Sequence, residues 1–270
     1  MANTNQSLER GLAILEVLDK EGKELGVREL ARRLSISPTI VQRLLRTLSD
    51  AHFVIQDSDS QKYRIGYRAL SLGASLLTED KLVSVAMPFL QRLTDEHHLN
   101  AFLAVISGDD LTYVLALQSA GPISIRSMPG SKAPFHSTAM GKAILAHEDK
   151  ETIQRYLGPK PLETFTDNTI ADPSKFIAQL GKVREQGYAL SIEENLPGVT
   201  SVGARVKNSQ GKPIASISVA YAPLLQPNCR LPEIVRLVTE TAASISMGLG
   251  CPERAIDHVT PMAASGENAA

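Results

Sequence analysis

This 270-residue chain has only two cysteines, Cys229 and Cys251, and neither belongs to a Cys/His cluster with metal-ligand spacing. A zinc ribbon is therefore excluded, and the thiols are expected to be unpaired, as in a reducing cytoplasm. Long apolar runs are missing too. The N-terminus, MANTNQSLERG, has no apolar stretch of signal-peptide type, and nothing approaches the roughly 18 uncharged apolar residues that cross a bilayer. No P-loop, GxGxxG or internal repeat occurs, so no nucleotide cofactor is expected. HExxH is absent, and His97-His98 is too close-set for two ligands on one helix face, so no metal is expected either. Enzyme chemistry finds little support. His136-Ser137 are adjacent without a GxSxG elbow, and Glu193-Glu194 read as strand neighbours facing opposite ways. A global charge excess is lacking as well, with 28 Lys and Arg against 29 Asp and Glu.

The charge that is present is unevenly placed. Residues 28–68 hold eight Lys and Arg against four acids, a local net of +4 in a chain of net −1. Within them, VRELARRLSISPTIVQRLLRTL (27–48) reads as two short helices around a tight turn. Val27, Leu30, Ala31 and Leu34 form one helical stripe. Ser37 fits the N-cap of the second helix and Pro38 its first position. Ile40, Val41, Leu44, Leu45 and Leu48 take one side of that helix, which leaves Thr39, Gln42, Arg43 and Arg46 on the other. Such a helix, with Ser37 and Pro38 at its start also expected on the DNA face, suits the major groove, where these side chains reach base edges and phosphates. Residues 53–56 and 62–65 alternate like strands around a polar turn, completing a winged helix-turn-helix. Arg28, Lys62 and Arg64 are expected near phosphates.

A chain of this length implies a second domain. We read residues 1–66 as the winged-helix domain, with residues 7–18 as its first helix. Residues 67–80 follow as a helical linker, 81–250 as an α+β domain, and 251–270 as a disordered tail. Strands are expected at 101–107, 111–118, 123–127, 188–192, 200–207 and 213–220. Helices are expected at 82–96, 138–146, 175–186 and 231–249, packed on one face of the sheet. The residues alone leave three readings: a ligand-responsive DNA-binding regulator, a DNA-binding hydrolase and an architectural DNA binder.

Five fragments narrow that choice: SLERGLAILEVL (7–18), RELARRLSISPTIVQRLLRTL (28–48), FHSTAMGKAILA (135–146), GYALSIEENLPGVTSVGARV (187–206) and GKPIASISVA (211–220). In this order and spacing the chain resembles the IclR family of bacterial one-component transcription factors. The resemblance implies a multidomain protein, an N-terminal winged helix-turn-helix plus a C-terminal α+β GAF/PAS-like sensor domain. It also implies a cytoplasmic homodimer or tetramer on a palindromic operator in double-stranded DNA, with no membrane partner. The effector would be an aromatic or short organic acid, or a derivative, from a catabolic pathway. By position, the family's effector pocket falls on Ile125, Arg126, His136, Ser137, Thr138, Ala139, Met140, Ser191, Val199, Ser201, Ser218 and Ala220. Two of these depart from relatives, since Ser191 replaces an aspartate of certain acid-binding members and Met140 is often smaller. Hydroxyls and a helix N-terminus without a buried acid favour a small monoanion.

Overall fold

The computed structural model describes residues 4–125, 127–158 and 161–257. Its first helix begins ahead of the residues that the periodicity marks. The Asn5 side chain accepts the amides of Ser7 (3.1 Å) and Leu8 (3.2 Å), and α1 spans Gln6–Glu21. α2 (Val27–Leu34) and α3 (Pro38–Asp50) follow, the turn between them opening on a left-handed Ser35. Ser37 caps α3 at the Ile40 amide, with Pro38 in the first turn, as the sequence suggests. Ile14, Leu18, Leu30, Val41 and Leu45 close one small core, completed by Val54 and Tyr63 from the hairpin strands. These are β1 (Val54–Gln56) and β2 (Tyr63–Ile65), antiparallel, with Leu25 bridged to Tyr63. Gly66 is required where the hairpin ends, because a Cβ there would stand 2.3 Å from the His52 carbonyl oxygen. α4 (Tyr67–Glu79) then runs with no buried residue.

The chain divides into two compact units, one ending at Asp80 and the other beginning at Lys81. The helical stretch expected as a linker thus belongs to the first unit. The second opens with α5 (Lys81–Asp95) and the hairpin of β3 (Asn100–Ser107) and β4 (Asp110–Leu117). Next come β5 (Lys132–Ala133), α6 (Ala139–Leu145), α7 (Lys150–Leu157) and α8 (Pro173–Gln186). β6 (Ala189–Ile192), β7 (Thr200–Lys207), β8 (Pro213–Tyr221) and α9 (Leu231–Gly248) complete it. The six strands form an antiparallel sheet in the order β5-β4-β3-β8-β7-β6.

Both faces of this sheet are covered, contrary to the one-sided packing expected. Ala215, Ile217, Val219 and Tyr221 of β8 share a core with α5 and α9. Ala220 of the same strand belongs with Phe102 to the core under α6 and α8. Alternation along a strand feeds two cores only when helices lie on both sides. Among the described residues of 123–127, which leave out Arg126, the expected strand does not form. The free edge of β4 is met instead by the segment leading into β5, where the Tyr113 amide donates to Ser131 (2.9 Å) and Tyr113 accepts from Gly130 (2.8 Å). The tail is ordered further than its composition suggests. Cys251 is buried, a 3₁₀ turn covers Glu253–Ala255, and Asp257 pairs with Arg205 and with Lys207 (2.7 Å). Residues 258–270 lie outside the described residues.

Candidate DNA-binding face and ligand pocket

Because Val41 and Leu45 of α3 are drawn into the core, its opposite side must face outward. Pro38, Thr39, Gln42, Arg43 and Arg46 are exposed there and line an open groove of about 700 Å³ together with Val27, Ser49, Gln56 and Tyr63. Ser49 and Gln56 are additions to the sequence reading. Ser49 lies three residues after Arg46 and seven after Gln42, a spacing that marks the same stripe. Gln56 is held in place by Gln61, donating to its backbone carbonyl (3.2 Å) and its Oε1 (3.0 Å).

The remaining residues expected on this face line no part of that groove. Arg28 and Lys62 are exposed on α2 and on the hairpin. The Ser37 hydroxyl is committed to capping α3. Arg64 is tethered, its Nε 3.9 Å from Glu24 and its guanidinium 5.8 Å from the centre of the Tyr67 ring. Arg33 is neutralised by Glu21 and Glu29, so the +4 of this segment is not spread evenly over it.

In the second unit a hollow of about 30 Å³ lies between the sheet, the start of α6 and the loop after β6. Ile125, Thr138, Ala139, Met140, Ser191, Val199, Ser201, Ser218 and Ala220 line it as expected, joined by Phe102, Tyr113, Asn195 and Leu196. His136 does not. Its Nε2 lies 2.7 Å from the Glu163 carbonyl oxygen, and its ring packs near Phe165 and Phe176. Ser137 is also turned away, fully buried with its hydroxyl donating to Asn195 Oδ1 (3.0 Å). Residues 135–137 form a turn ahead of α6, and neither side chain shares the hollow with Thr138. Arg126 lies outside the described residues.

Hydrogen-bond accounting separates structural hydroxyls from available ones. Thr138 donates to the Pro134 carbonyl (2.6 Å) and accepts the Gly141 amide (3.1 Å), which caps α6. Ser191 donates to the Ser137 carbonyl (2.7 Å). The hydroxyls of Ser201 and Ser218 have no partner among the described residues, nor do the amides of Ala139 and Met140. Gly203 permits this approach of helix to sheet, since a Cβ there would lie 2.6 Å from the Ala139 carbonyl carbon.

Behind the pocket wall is an ion pair that sequence reasoning did not find. Lys142 is fully buried and donates to the Leu190 carbonyl (3.0 Å) and to Glu194 Oε1 (2.5 Å). Burial pulls its ammonium below the usual lysine range, opposed by the attraction of Glu194. Glu193 and Glu194 are not strand neighbours. β6 ends at Ile192, Glu193 takes a left-handed φ of 54°, and Glu194 turns inward to Lys142. Hydroxyls of Thr166 (2.5 Å) and Thr169 (2.6 Å) donate to the carbonyls of Glu193 and Glu194.

A winged helix with an open α3 face, joined to a sheet domain with an enclosed polar-lined pocket, defines a DNA-binding regulator with its own ligand-binding domain. The chain matches the IclR helix-turn-helix domain over residues 7–58 and the bacterial transcriptional regulator IclR C-terminal domain over residues 74–247. It belongs to the IclR family of bacterial transcriptional regulators. It is 32% identical over 244 residues to the HTH-type transcriptional regulator BhcR of Paracoccus denitrificans, covering 90% of this chain and 87% of that protein. It is 29% identical over 245 residues to the repressor AllR of Escherichia coli K12, covering 91% and 90%. The crystal structure of an IclR regulator from Alicyclobacillus acidocaldarius superposes with a TM-score of 0.79 at 27% identity, covering 92% of this chain and all of that one. An IclR homologue from Microbacterium hydrocarbonoxydans, crystallised with 4-hydroxybenzoate, shares the fold (TM-score 0.78, 21% identity, 90% and 99% coverage). The protein is accordingly a helix-turn-helix transcriptional regulator with an effector-binding domain, and not an enzyme. Among the described residues no helix is long and apolar enough to cross a membrane.

Proposed function

We propose that this regulator binds a palindromic operator as a cytoplasmic homodimer or tetramer, and that a small carboxylic acid, or a derivative of one, alters that binding from the pocket under α6. In this reading Thr39, Gln42, Arg43 and Arg46 read the major groove, while Arg28 and Lys62 meet phosphates. The unit from Lys81 is the effector-binding domain and contributes to assembly. Support for self-association comes from the first unit. Leu8 (62% exposed) and Leu12 (52%) on α1, with Leu70 (71%) and Leu76 (68%) on α4, have no cover within it. Exposed leucines on α1 and α4 offer apolar area to a second copy, and a two-fold dimer matches two half-sites.

The observation that carries the ligand reading is the set of unpartnered donors, the hydroxyls of Ser201 and Ser218 and the amides of Ala139 and Met140, around one enclosed hollow. Donors free of protein partners around one hollow favour a ligand that brings acceptors, and a carboxylate supplies several. The test is Ser218→Leu, read by calorimetry for acid binding and by operator mobility shift with and without acid. Loss of the acid response with operator binding retained is expected. A variant that responds like the wild type, or a wild type that binds amines and no acids, would overturn the reading.

A further inference from the structure

Of the polar side chains that line the α3 groove, Arg43 and Arg46 can only donate hydrogen bonds, while Thr39, Gln42 and Ser49 can turn to donate or accept. Gln56 differs from both. Val54 of β1 packs in the core with Val41 and Leu45 of α3, and Gln56, two residues on along the same side of the strand, emerges into the groove. Its Nε2 donates one hydrogen to the Gln61 carbonyl oxygen (3.2 Å) and the other to Gln61 Oε1 (3.0 Å). A main-chain carbonyl only accepts, so the nitrogen of this amide must face Gln61 and its oxygen must face away. Gln61 is oriented by the same argument. Its Nε2 donates to the Ser58 carbonyl (2.8 Å), which turns its Oε1 to Gln56. The turn beneath is braced as well. Gln61 holds a left-handed φ of 56° with its amide on the Asp57 carbonyl (3.0 Å), and the Asp57 carboxylate accepts the amides of Asp59 (3.2 Å) and Ser60 (2.7 Å). With both hydrogens taken, Gln56 offers the groove a bare acceptor, and among the described residues no donor meets it.

Phosphate oxygens accept hydrogen bonds, so a side chain with no free hydrogen has nothing to give them. In the major groove the base edges that donate are cytosine N4 and adenine N6, where guanine and thymine present the acceptors O6 and O4. Resting on the reading of α3 as the helix in the major groove, we infer that Gln56 is a specificity residue of the hairpin. It selects the amino bases, cytosine and adenine, over the keto bases, guanine and thymine, at one position of the operator half-site. Gln61 is its positioning residue, holding the amide so that only the acceptor is shown. This partition is diagnostic, because readout in the minor groove separates A·T from G·C pairs instead.

The test uses the full-length protein and selection of bound duplexes from a randomised DNA pool, read by sequencing, for the wild type, Gln56→Ala, Gln61→Gly and Gln42→Ala. The wild type is expected to show a position that separates cytosine and adenine from guanine and thymine. Gln56→Ala should level that position by about two- to tenfold, the worth of one net hydrogen bond. Glycine accepts the left-handed backbone at residue 61 and leaves its carbonyl to hold one hydrogen of Gln56. The hydrogen set free can reach adenine N7, so Gln61→Gly should raise adenine over cytosine there by a similar factor, through the two-bond pairing of an amide with adenine. A motif that Gln56→Ala leaves unchanged, a Gln56-dependent position that separates A·T from G·C pairs, or a Gln61→Gly motif like that of the wild type would overturn the assignment. A motif that Gln42→Ala leaves unchanged overturns the α3 reading beneath it instead, so the two failures are distinguishable.

Discussion

Replacing His147 by glutamine should remove much of the acid sensitivity of the effector domain. His147 follows α6 and is half-buried. Burial, reinforced by the positive charge of Arg205 and only partly offset by Asp257, lowers its pKa from 6.5 to about 4. The unfolded chain therefore takes up a proton near pH 6.5, while the folded one waits until about pH 4. Between those values the unfolded state binds more protons, so stability rises with pH and is lost as pH falls. At pH 5 the ring sits about 1.5 pH units below its ordinary value, at about 1.4 kcal/mol each, or about 2 kcal/mol in all. Residual solvent contact trims this to about 1–1.5 kcal/mol. Thermal unfolding of wild type and variant at pH 7 and pH 5 measures it, and for a unit of this size the wild type should lose roughly 2–6 °C more than His147→Gln. Equal losses in the two proteins would refute the reasoning.

Gln42→Ala should lower operator affinity by about 1–3 kcal/mol and relax one base preference. Arg28→Ala should weaken all sequences alike and flatten the salt dependence more than Arg64→Ala, whose guanidinium is already held by Glu24 and Tyr67; mobility shifts across a salt series distinguish them. Asp257→Ala leaves Arg205 and Lys207, 15% and 8% exposed, without their shared carboxylate. A loss of about 2–4 kcal/mol in urea unfolding is expected. Leu70→Glu with Leu76→Glu should shift the protein to monomers in sedimentation velocity at micromolar concentration, and an unchanged species would remove the role given to α4 in assembly.

The winged helix was legible in the sequence because its signals are local. A cap, a proline and an apolar stripe fix α3, and the stripe then dictates which side chains remain outside. The sheet domain was legible in outline, and its errors have physical causes. α7 buries only Ile153, too little for periodicity to reveal it. Phe102 was hidden because 101–107 is a nearly continuous apolar run, as a strand covered on both faces must be, and nothing in such a run marks the side that holds a cavity. Lys142 was hidden for the opposite reason. A lysine reads as a surface residue, and only the complete burial of α6 on every side shows that it is not. His136 and Ser137 were placed by position in a motif, and the turn at residues 135–137 ahead of α6 leaves both outside the pocket lining.

How the pocket wall is fastened decides what a ligand can move. The loop 193–199 supplies Asn195, Leu196 and Val199 to that wall. It is tied to α6 by Lys142 and Glu194, and to the lead-in of α6 by Ser137 and Asn195. The two ties differ in kind. Separating a desolvated charge pair leaves an uncompensated ion and costs about 3–5 kcal/mol, more than a small effector has to give. The neutral bond between Ser137 and Asn195 contributes only about 0.5–1.5 kcal/mol. A carboxylate seated beside it competes for the same donors, and Asn195 can exchange its partner without any change at Lys142. A ligand alters operator affinity only by its unequal affinity for two states, typically 1–3 kcal/mol. That scale fits the Ser137–Asn195 tie better than the buried ion pair, so a ligand in the proposed pocket is expected to displace Asn195 before it disturbs Lys142 and Glu194.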